Sequence, residues 1–368
     1  MDKEILFKGF EVELFTGTQN SHVGISSEIE KVFSNFVMEP DNRNIEYITD
    51  PDKSYKVLYK SLLEPRKKLR KWLREKNLTI IPSSTLCFEH DYKFQRSDPY
   101  NAYHDFIESN YGISIATSSV HINLGIDNLK KLFAAIRLAR CEASLYLALS
   151  ASSPFLNGKF TGNHSQRWMQ FPKTPLKVPF FVDHQQYINW VENNIKNGQM
   201  QNIRHFWSSI RPNGPMRPYK LDRLELRICD FVSEINLLLA ITAFLELRIL
   251  LLFQDMQVLD PLTSSKFTLS ELQNICDHNE LEVAKKSLDG ELIHWKDGKS
   301  IICRDWIQNL LGDISNISKK YNMCKKIEPL YKVLEKGNQS INWINQYNSG
   351  YSIEEIIKSE INDMEESE

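Results

Sequence analysis

The stretch GFEVELF, residues 9–15, sets Glu11 and Glu13 two positions apart in an otherwise apolar run. In an extended strand side chains alternate between faces, so both carboxylates point one way and Phe10, Val12 and Leu14 the other. The two groups then stand roughly 6–7 Å apart and repel by about 2–3 kcal/mol at an effective dielectric near 20. Two arrangements relieve that repulsion. The polar face can lie in water, as in many antiparallel sheets, or it can share a cation, paired carboxylates being common ligands of hard divalent metals.

The pattern recurs. In RNIEYIT (43–49), Asn44 and Glu46 share a face opposite Ile45 and Tyr47. In SSVHINLGI (118–126), His121 and Asn123 oppose Val120, Ile122 and Leu124. In DRLELRICD (222–230), Arg223, Glu225 and Arg227 oppose Leu224, Leu226 and Ile228. Four such strands predict one sheet with a helix-covered apolar back and a polar front. Carboxylates with one imidazole suit Mg²⁺ or Mn²⁺ better than zinc, and arginines beside them can clamp a phosphate. Taken together, the faces predict a metal–nucleotide site. Each residue alone has a plainer reading: a strand histidine is often structural, and Glu225 between two arginines can be an exposed salt-bridge ladder contributing less than about 1 kcal/mol.

The elements that must position these faces are also legible. Helical patterns cover 54–76, with a kink or break expected at Pro65, 128–150, with Asp127 as its expected cap, 183–198, and a long apolar run at 231–255. Within that run, 235–253 is long enough to span a bilayer. It carries Glu246 and Arg248, each costing on the order of 2–3 kcal/mol near the membrane centre, so a core helix is expected. After Asp260-Pro261 the chain becomes polar and rich in Asn and Lys, with TLSEL (268–272) reading as a capping box. We expect a catalytic region at 1–260 and a helical extension at 261–368 that packs as a stabilising cap and donates no chemistry. Its end, EINDMEESE (360–368), reads as a frayed acidic tail.

Composition narrows the class. The chain has 368 residues, 42% hydrophobic and 25% charged, with a net charge of −2. That is a globular balance with no global attraction to nucleic acid or anionic lipid. Met1–Phe10 lack the apolar core of a signal peptide. Six cysteines without a CxxC pair read as reduced cytosolic thiols. DGKS (297–300) fails the phosphate-loop spacing because Ile293 stands where a glycine is needed. A cytoplasmic enzyme with no nucleic-acid or membrane partner is expected.

Seven stretches in fixed order carry a family resemblance: FKGFEVELFTG (7–17), EPDNRNIEYIT (39–49), TSSVHINLGI (117–126), RCEASLYLALSASSPFLNGKFTG (140–162), SQRWMQFP (165–172), MQNIRHFWSSIRPNGPMRPY (200–219) and DRLELRICD. With these the chain resembles glutamate–cysteine ligase, and looks most like the cyanobacterial type within the carboxylate–amine ligase superfamily. The resemblance implies an α+β fold similar to glutamine synthetase: a curved, mainly antiparallel sheet with a polar concave face, backed by helices, followed here by a C-terminal helical extension. It implies Mg²⁺ (or Mn²⁺) held by Glu11, Glu13, Glu46, His121 and Glu225, with Glu225 and Arg227 catalytic and Arg227 meeting the transferred phosphate. Arg211, Arg167, Arg43 and Asn123 are the implied contacts to ATP or substrate. The implied reaction joins the γ-carboxylate of L-glutamate to the amine of L-cysteine through γ-glutamyl phosphate, with ATP as co-substrate, the first step of glutathione biosynthesis. A relative that uses another amine or acid, and a metal- or nucleotide-binding regulator without catalysis, are the other readings.

Overall fold

The computed structural model describes residues 5–89, 93–112 and 115–368; the first four residues of the amino-terminal stretch lie outside it. The strands run in the order β1 (Lys8–Gly17), β2 (Phe36–Met38), β3 (Asn44–Ile48), β4 (Thr79–Ile81), β5 (Val120–Gly125), a small hairpin of β6 (Phe155–Leu156) and β7 (Lys159–Phe160), then β8 (Ile210–Asn213) and β9 (Arg223–Leu226). Seven of them form one sheet, ordered β2-β3-β1-β5-β9-β8, with β4 paired to the end of β1. Every pairing is antiparallel. All four expected strands are therefore neighbours in a single sheet.

Register decides what the polar face looks like. Glu11 lies opposite His121 and Glu13 opposite Glu46. Glu225 lies opposite Asn123 on one side and Arg211 on the other. On the reverse face Phe10, Val12, Ile45, Tyr47, Val120, Ile122, Leu124, Leu224 and Leu226 are all buried. Because side chains alternate along each strand, a one-residue slip in any pair would exchange the two faces.

Among the described residues, eight α-helices run up to Gln254: α1 (Ser26–Val32), α2 (Tyr55–Arg74), α3 (Ala102–Tyr111), α4 (Leu129–Cys141), α5 (Ala143–Ser150), α6 (Gln166–Gln170), α7 (His184–Lys196) and α8 (Ile235–Gln254). α2 packs against β1, and α4 against β8 and β9, with α8 behind both helices. Of the kink or break expected at Pro65, a break does not occur: α2 runs through it. Leu58, Leu62, Leu69 and Leu73 are buried on both sides of the proline, and that packing offsets the single backbone hydrogen bond a proline removes. The cap of α4 is Asn128 rather than Asp127, its side chain accepting from the Lys131 amide. The expected continuous helix over 128–150 is interrupted at Glu142, whose backbone leaves helical geometry (φ −104°, ψ 2°) and whose carboxylate is held by Arg248.

The charges in α8 have buried partners. Glu246 accepts from Lys8 Nζ at 3.0 Å, Tyr55 Oη at 2.7 Å and the Leu6 amide at 2.7 Å. Lys8 lies on the helix-covered face of β1 and is fully buried. A buried charge is tolerated when paired and hydrogen-bonded, so α8 is apolar all round yet pinned at two points inside the core.

Beyond 260 the chain is mostly helical, with Thr268 and Glu271 forming the expected capping box; an unexpected hairpin pairs Glu291–Ile293 with Ser300–Ile302. The hydrophobic core runs continuously across position 260, from Leu252 to Leu272 and Trp306. The frayed acidic end is a correction. Residues Ile353–Ser367 form a helix opened by a second capping box, with Ser352 and Glu355. Ile353, Ile356, Ile357 and Ile361 pack with Phe15, Ile81 and Phe155 in a second core. Its acidic residues are ligands to a basic helix face: Glu368 takes Arg66 Nε at 2.9 Å and Arg70 Nε at 2.7 Å, and Glu365 takes Arg74 Nη2 at 2.9 Å. Composition alone hid an apolar stripe at helical spacing.

Deleting residues 353–368 should therefore strip part of a core and leave two buried guanidiniums short of partners. We expect the melting temperature to fall by about 10 °C or the protein to become insoluble, and Glu368→Gln alone to lower it by about 2 °C or more. Thermal unfolding that matches the intact chain in both variants would show the helix to be dispensable.

Candidate active site

The polar face of the sheet floors a cleft of about 340 Å³ lined by Glu11, Glu13, Glu39, Glu46, His121 and Arg227 among others. His121 Nδ1 lies 2.9 Å from Glu11 Oε2, and His121 Nε2 lies 3.1 Å from Ser119 Oγ. The imidazole thus links Glu11 to Ser119, with Arg227 Nη1 3.4 Å from the same Nδ1. Asn123 Nδ2 donates to the other Glu11 oxygen at 3.3 Å.

Two groups of side chains bring ligand atoms within 4.8 Å of one another: Glu11, Glu46 and His121, and Glu13, Glu39 and Glu46. Glu46 belongs to both, as a bridging carboxylate would. Burial, then the charges of Glu39, Glu11 and Glu13, push the Glu46 carboxyl well above its ordinary value. Burial and the charge of Glu13 push Glu39 up to about 8. Glu11 goes the other way: burial and Glu225 raise it, but the hydrogen bond and charge of His121, with Arg227, hold it below the usual range. An oxygen-rich set that crowds negative charge in this way fits a hard divalent cation, whose charge would remove the repulsion.

Arginines form the opposite wall. Glu225 is fully buried. It accepts from Arg211 Nε at 2.7 Å and Nη2 at 3.0 Å, from Asn213 Nδ2 at 2.6 Å, and from Arg227 Nη1. Burial alone would raise its carboxyl, but Arg211 and Arg227 hold it well below the carboxylate range. Both oxygens of Glu225 are thus engaged, and it belongs to neither of the two close ligand groups. Its nearest approach to His121 Nδ1 is 3.8 Å. Arg227 Nε and Arg217 Nη1 are buried without a hydrogen-bond partner, and both side chains line the cleft. Buried N–H groups left in this way fit an anion such as phosphate.

The structure does not bring every expected residue to the cleft. Arg43 is buried and holds Asp41 through Nε at 2.8 Å and Nη2 at 2.7 Å. Arg167 donates to the Ile228 and Arg227 carbonyls, both at 3.0 Å, and lies 3.8 Å from Asp230. Its guanidinium therefore holds the chain just after β9. Asn123 lies at the far end of the sheet, where it accepts from Arg223 Nε at 3.2 Å and lines an adjoining cavity of about 390 Å³ with Glu11, Gly9 and Gly125. Sequence reading missed Glu39, Arg204 and Arg217. Glu39 follows a strand of only three residues, too short to show alternation, and its signal was its place in the EPDNRNIEYIT stretch. Arg204 sits in a single 3-10 turn, Ile203–His205, and Arg217 in a loop, and neither segment is long enough to show a period. No residue beyond 260 lines the cleft or either adjoining cavity.

Comparisons with known proteins agree with this geometry. A model of glutamate–cysteine ligase family 2 matches residues 7–364. The chain is 23% identical over 304 residues to a provisionally named glutamate–cysteine ligase 2 of Solibacter usitatus, covering 82% of this chain and 76% of that one. It is 24% identical over 285 residues to a protein of the same name from Sorangium cellulosum, covering 76% and 72%. Among solved structures, its fold is similar to a glutamate–cysteine ligase of Francisella tularensis in complex with AMP, with a TM-score of 0.77, 14% identity, and 98% of this chain and 88% of that one covered. A bifunctional glutathione synthetase of Pasteurella multocida has a TM-score of 0.70 at 14% identity, this chain matching over 99% of its length and 53% of the other. The antiparallel sheet with a carboxylate-lined face, the helices behind it and the family match across nearly the whole chain place this protein in glutamate–cysteine ligase family 2, among the ATP-dependent carboxylate–amine ligases.

Proposed function

We propose that this protein joins the γ-carboxylate of L-glutamate to the amine of L-cysteine at the expense of ATP, in the cytoplasm, and that residues 1–260 carry the chemistry while 261–368 support it. The observation that carries this reading is the meeting of two carboxylate groups with an arginine pair held by Glu225. Glu11, Glu13, Glu39, Glu46 and His121 would hold Mg²⁺, which when bound neutralises charge on the triphosphate.

A carboxylate has no good leaving group. The γ-carboxylate oxygen therefore attacks the terminal phosphorus of ATP, ADP departs with the bridging oxygen, and an acyl phosphate results. The amine nitrogen then attacks the acyl carbon. The carbon–oxygen bond to phosphate breaks, phosphate leaves with the electron pair, and the amine gives up its proton. Arg227 is placed to stabilise the phosphoryl group during transfer, and Glu225 fixes Arg227 and Arg211 so that little reorganisation is needed. Asn123 and Arg223 at the larger cavity suit the nucleotide end. Arg43 and Arg167 act as supports, because their guanidiniums are already engaged. No protein nucleophile is required. Burial pushes the Cys229 thiol up to about 12, which suits a packed thiol rather than a nucleophile.

The direct assay is ADP formation with Mg²⁺ across an amino-acid panel. ADP should appear only when glutamate and an acceptor are both present, with cysteine accepted; nucleotide binding without turnover under any combination would favour the regulator. Arg227→Lys keeps the charge but loses the planar fork, so kcat should fall by about 100-fold or more while KM for glutamate changes little. The reverse pattern would move Arg227 to ground-state binding. Glu39 is largely protonated below about pH 8, and a cation must displace that proton. Mg²⁺ binding should therefore tighten as pH rises toward 8 and release protons at pH 7, measured by calorimetry in buffers of different ionisation enthalpy. Glu39→Gln should reduce that release; binding without any release at pH 7 would contradict a shared metal face.

A further inference from the structure

A second pocket opens from the cleft and shares Glu13, Glu39, Trp207 and Arg227 with it. Its volume is about 150 Å³, and its interior is walled by Phe94, Ile107, Ile115, Ala116, Phe171 and Trp207. Ile107 and Ala116 are buried, so the apolar wall is anchored in the fold. An apolar cavity of about this volume holds a benzene-sized guest. A nucleoside, larger than such a guest, finds more room in the 390 Å³ cavity at the other end of the sheet.

The lining selects further among the remaining ligands. Among the described residues it carries four carboxyl side chains. Asp41 is held by Arg43, and Glu108 by Arg96 at 2.8 Å. Glu13 and Glu39 stand at the wall shared with the cleft, and among the described residues Arg227 is the one guanidinium lining the pocket. Glu13 and Glu39 belong to a carboxylate group suited to a cation, so the apolar wall does the selecting. A donor such as glutamate, whose side chain ends in a carboxylate, would find little complement there, whereas an apolar side chain on an amine buries against the aromatic wall.

We propose that this pocket seats the side chain of the acceptor, and that the acceptor class is primary amines with apolar side chains up to the size of a phenyl ring. Cysteine then lies at the small end of the range rather than defining it. The proposal rests on the ligase reading above, with the amine attacking the acyl phosphate across the shared wall at Arg227. A methylene more or less in such a pocket changes discrimination by about tenfold or more.

The test uses the full chain with ATP, Mg²⁺ and glutamate, and follows ADP release and product mass for glycine, cysteine, 2-aminobutyrate, leucine and phenylalanine. Hydroxylamine serves as a small nucleophile that needs no side-chain pocket. We expect kcat/KM to rise at least about tenfold from glycine to the best of the larger amines. Ala116→Leu fills the pocket and should lower the phenylalanine-to-glycine ratio of kcat/KM by about tenfold or more; Ile107→Ala enlarges it and should raise that ratio. If the larger residue at 116 prevents folding, Ile107→Ala carries the test. Hydroxamate formation from glutamate together with a flat amine series, acceptance of cysteine alone, or a ratio unmoved by the variants would overturn the pocket assignment while leaving glutamate activation intact. Absence of the hydroxamate would overturn glutamate activation itself, and the acceptor assignment with it.

Discussion

Backbone pairing between β1 and its two neighbours is the constraint on which the site depends. Hydrogen bonding fixes Glu13 against Glu46 and Glu11 against His121, whatever their side chains prefer. Two ionised carboxylates within 4.8 Å would repel by about 3–4 kcal/mol at an effective dielectric near 20. The fold accepts this because buried apolar faces set the register, and because Glu39 and Glu46 can hold protons until a cation takes their place. Crowding of this kind is costly for a free sheet and useful for binding a hard metal. The repulsion built in by the ladder is relieved only by a proton or a cation.

The arginine wall follows a different logic. Glu225 spends all its hydrogen-bonding capacity on Arg211, Arg227 and Asn213, so it acts as an anchor for positive charge. Arg167 holds the segment just after β9 through the Arg227 and Ile228 carbonyls. One side of the cleft is thus negative and adaptable, the other positive and fixed. On the proposed reading, that polarity would orient a phosphoryl group between the carboxylate face and a preorganised guanidinium pair.

Among the described residues, the carboxy-terminal region packs against the end of the sheet and lines neither the cleft nor its adjoining cavities. Its last helix completes the core beneath the end of β1 and β4, and its acidic residues hold the basic face of α2. A segment that resembles a solvated tail by composition is therefore structural, because its isoleucines recur at helical spacing while its charges meet fixed partners.

The sequence by itself determined the four alternating strands, their polar and apolar faces, the buried nature of α8 and most of the cleft's floor, because a period of two is a local property of the chain. It also carried the family resemblance, since those stretches keep order and spacing. Only the tertiary structure decided which polar residues meet. Glu39 entered the carboxylate group from a strand too short to show a period, Arg217 from an irregular loop, and Arg43 and Arg167 were drawn away by nearer partners. The continuity of α2 through Pro65 and the packing of residues 353–367 were likewise settled by contacts between segments distant in the chain. Local pattern fixes the direction in which a side chain points; the partner it finds there depends on which strand, helix or loop the fold brings alongside.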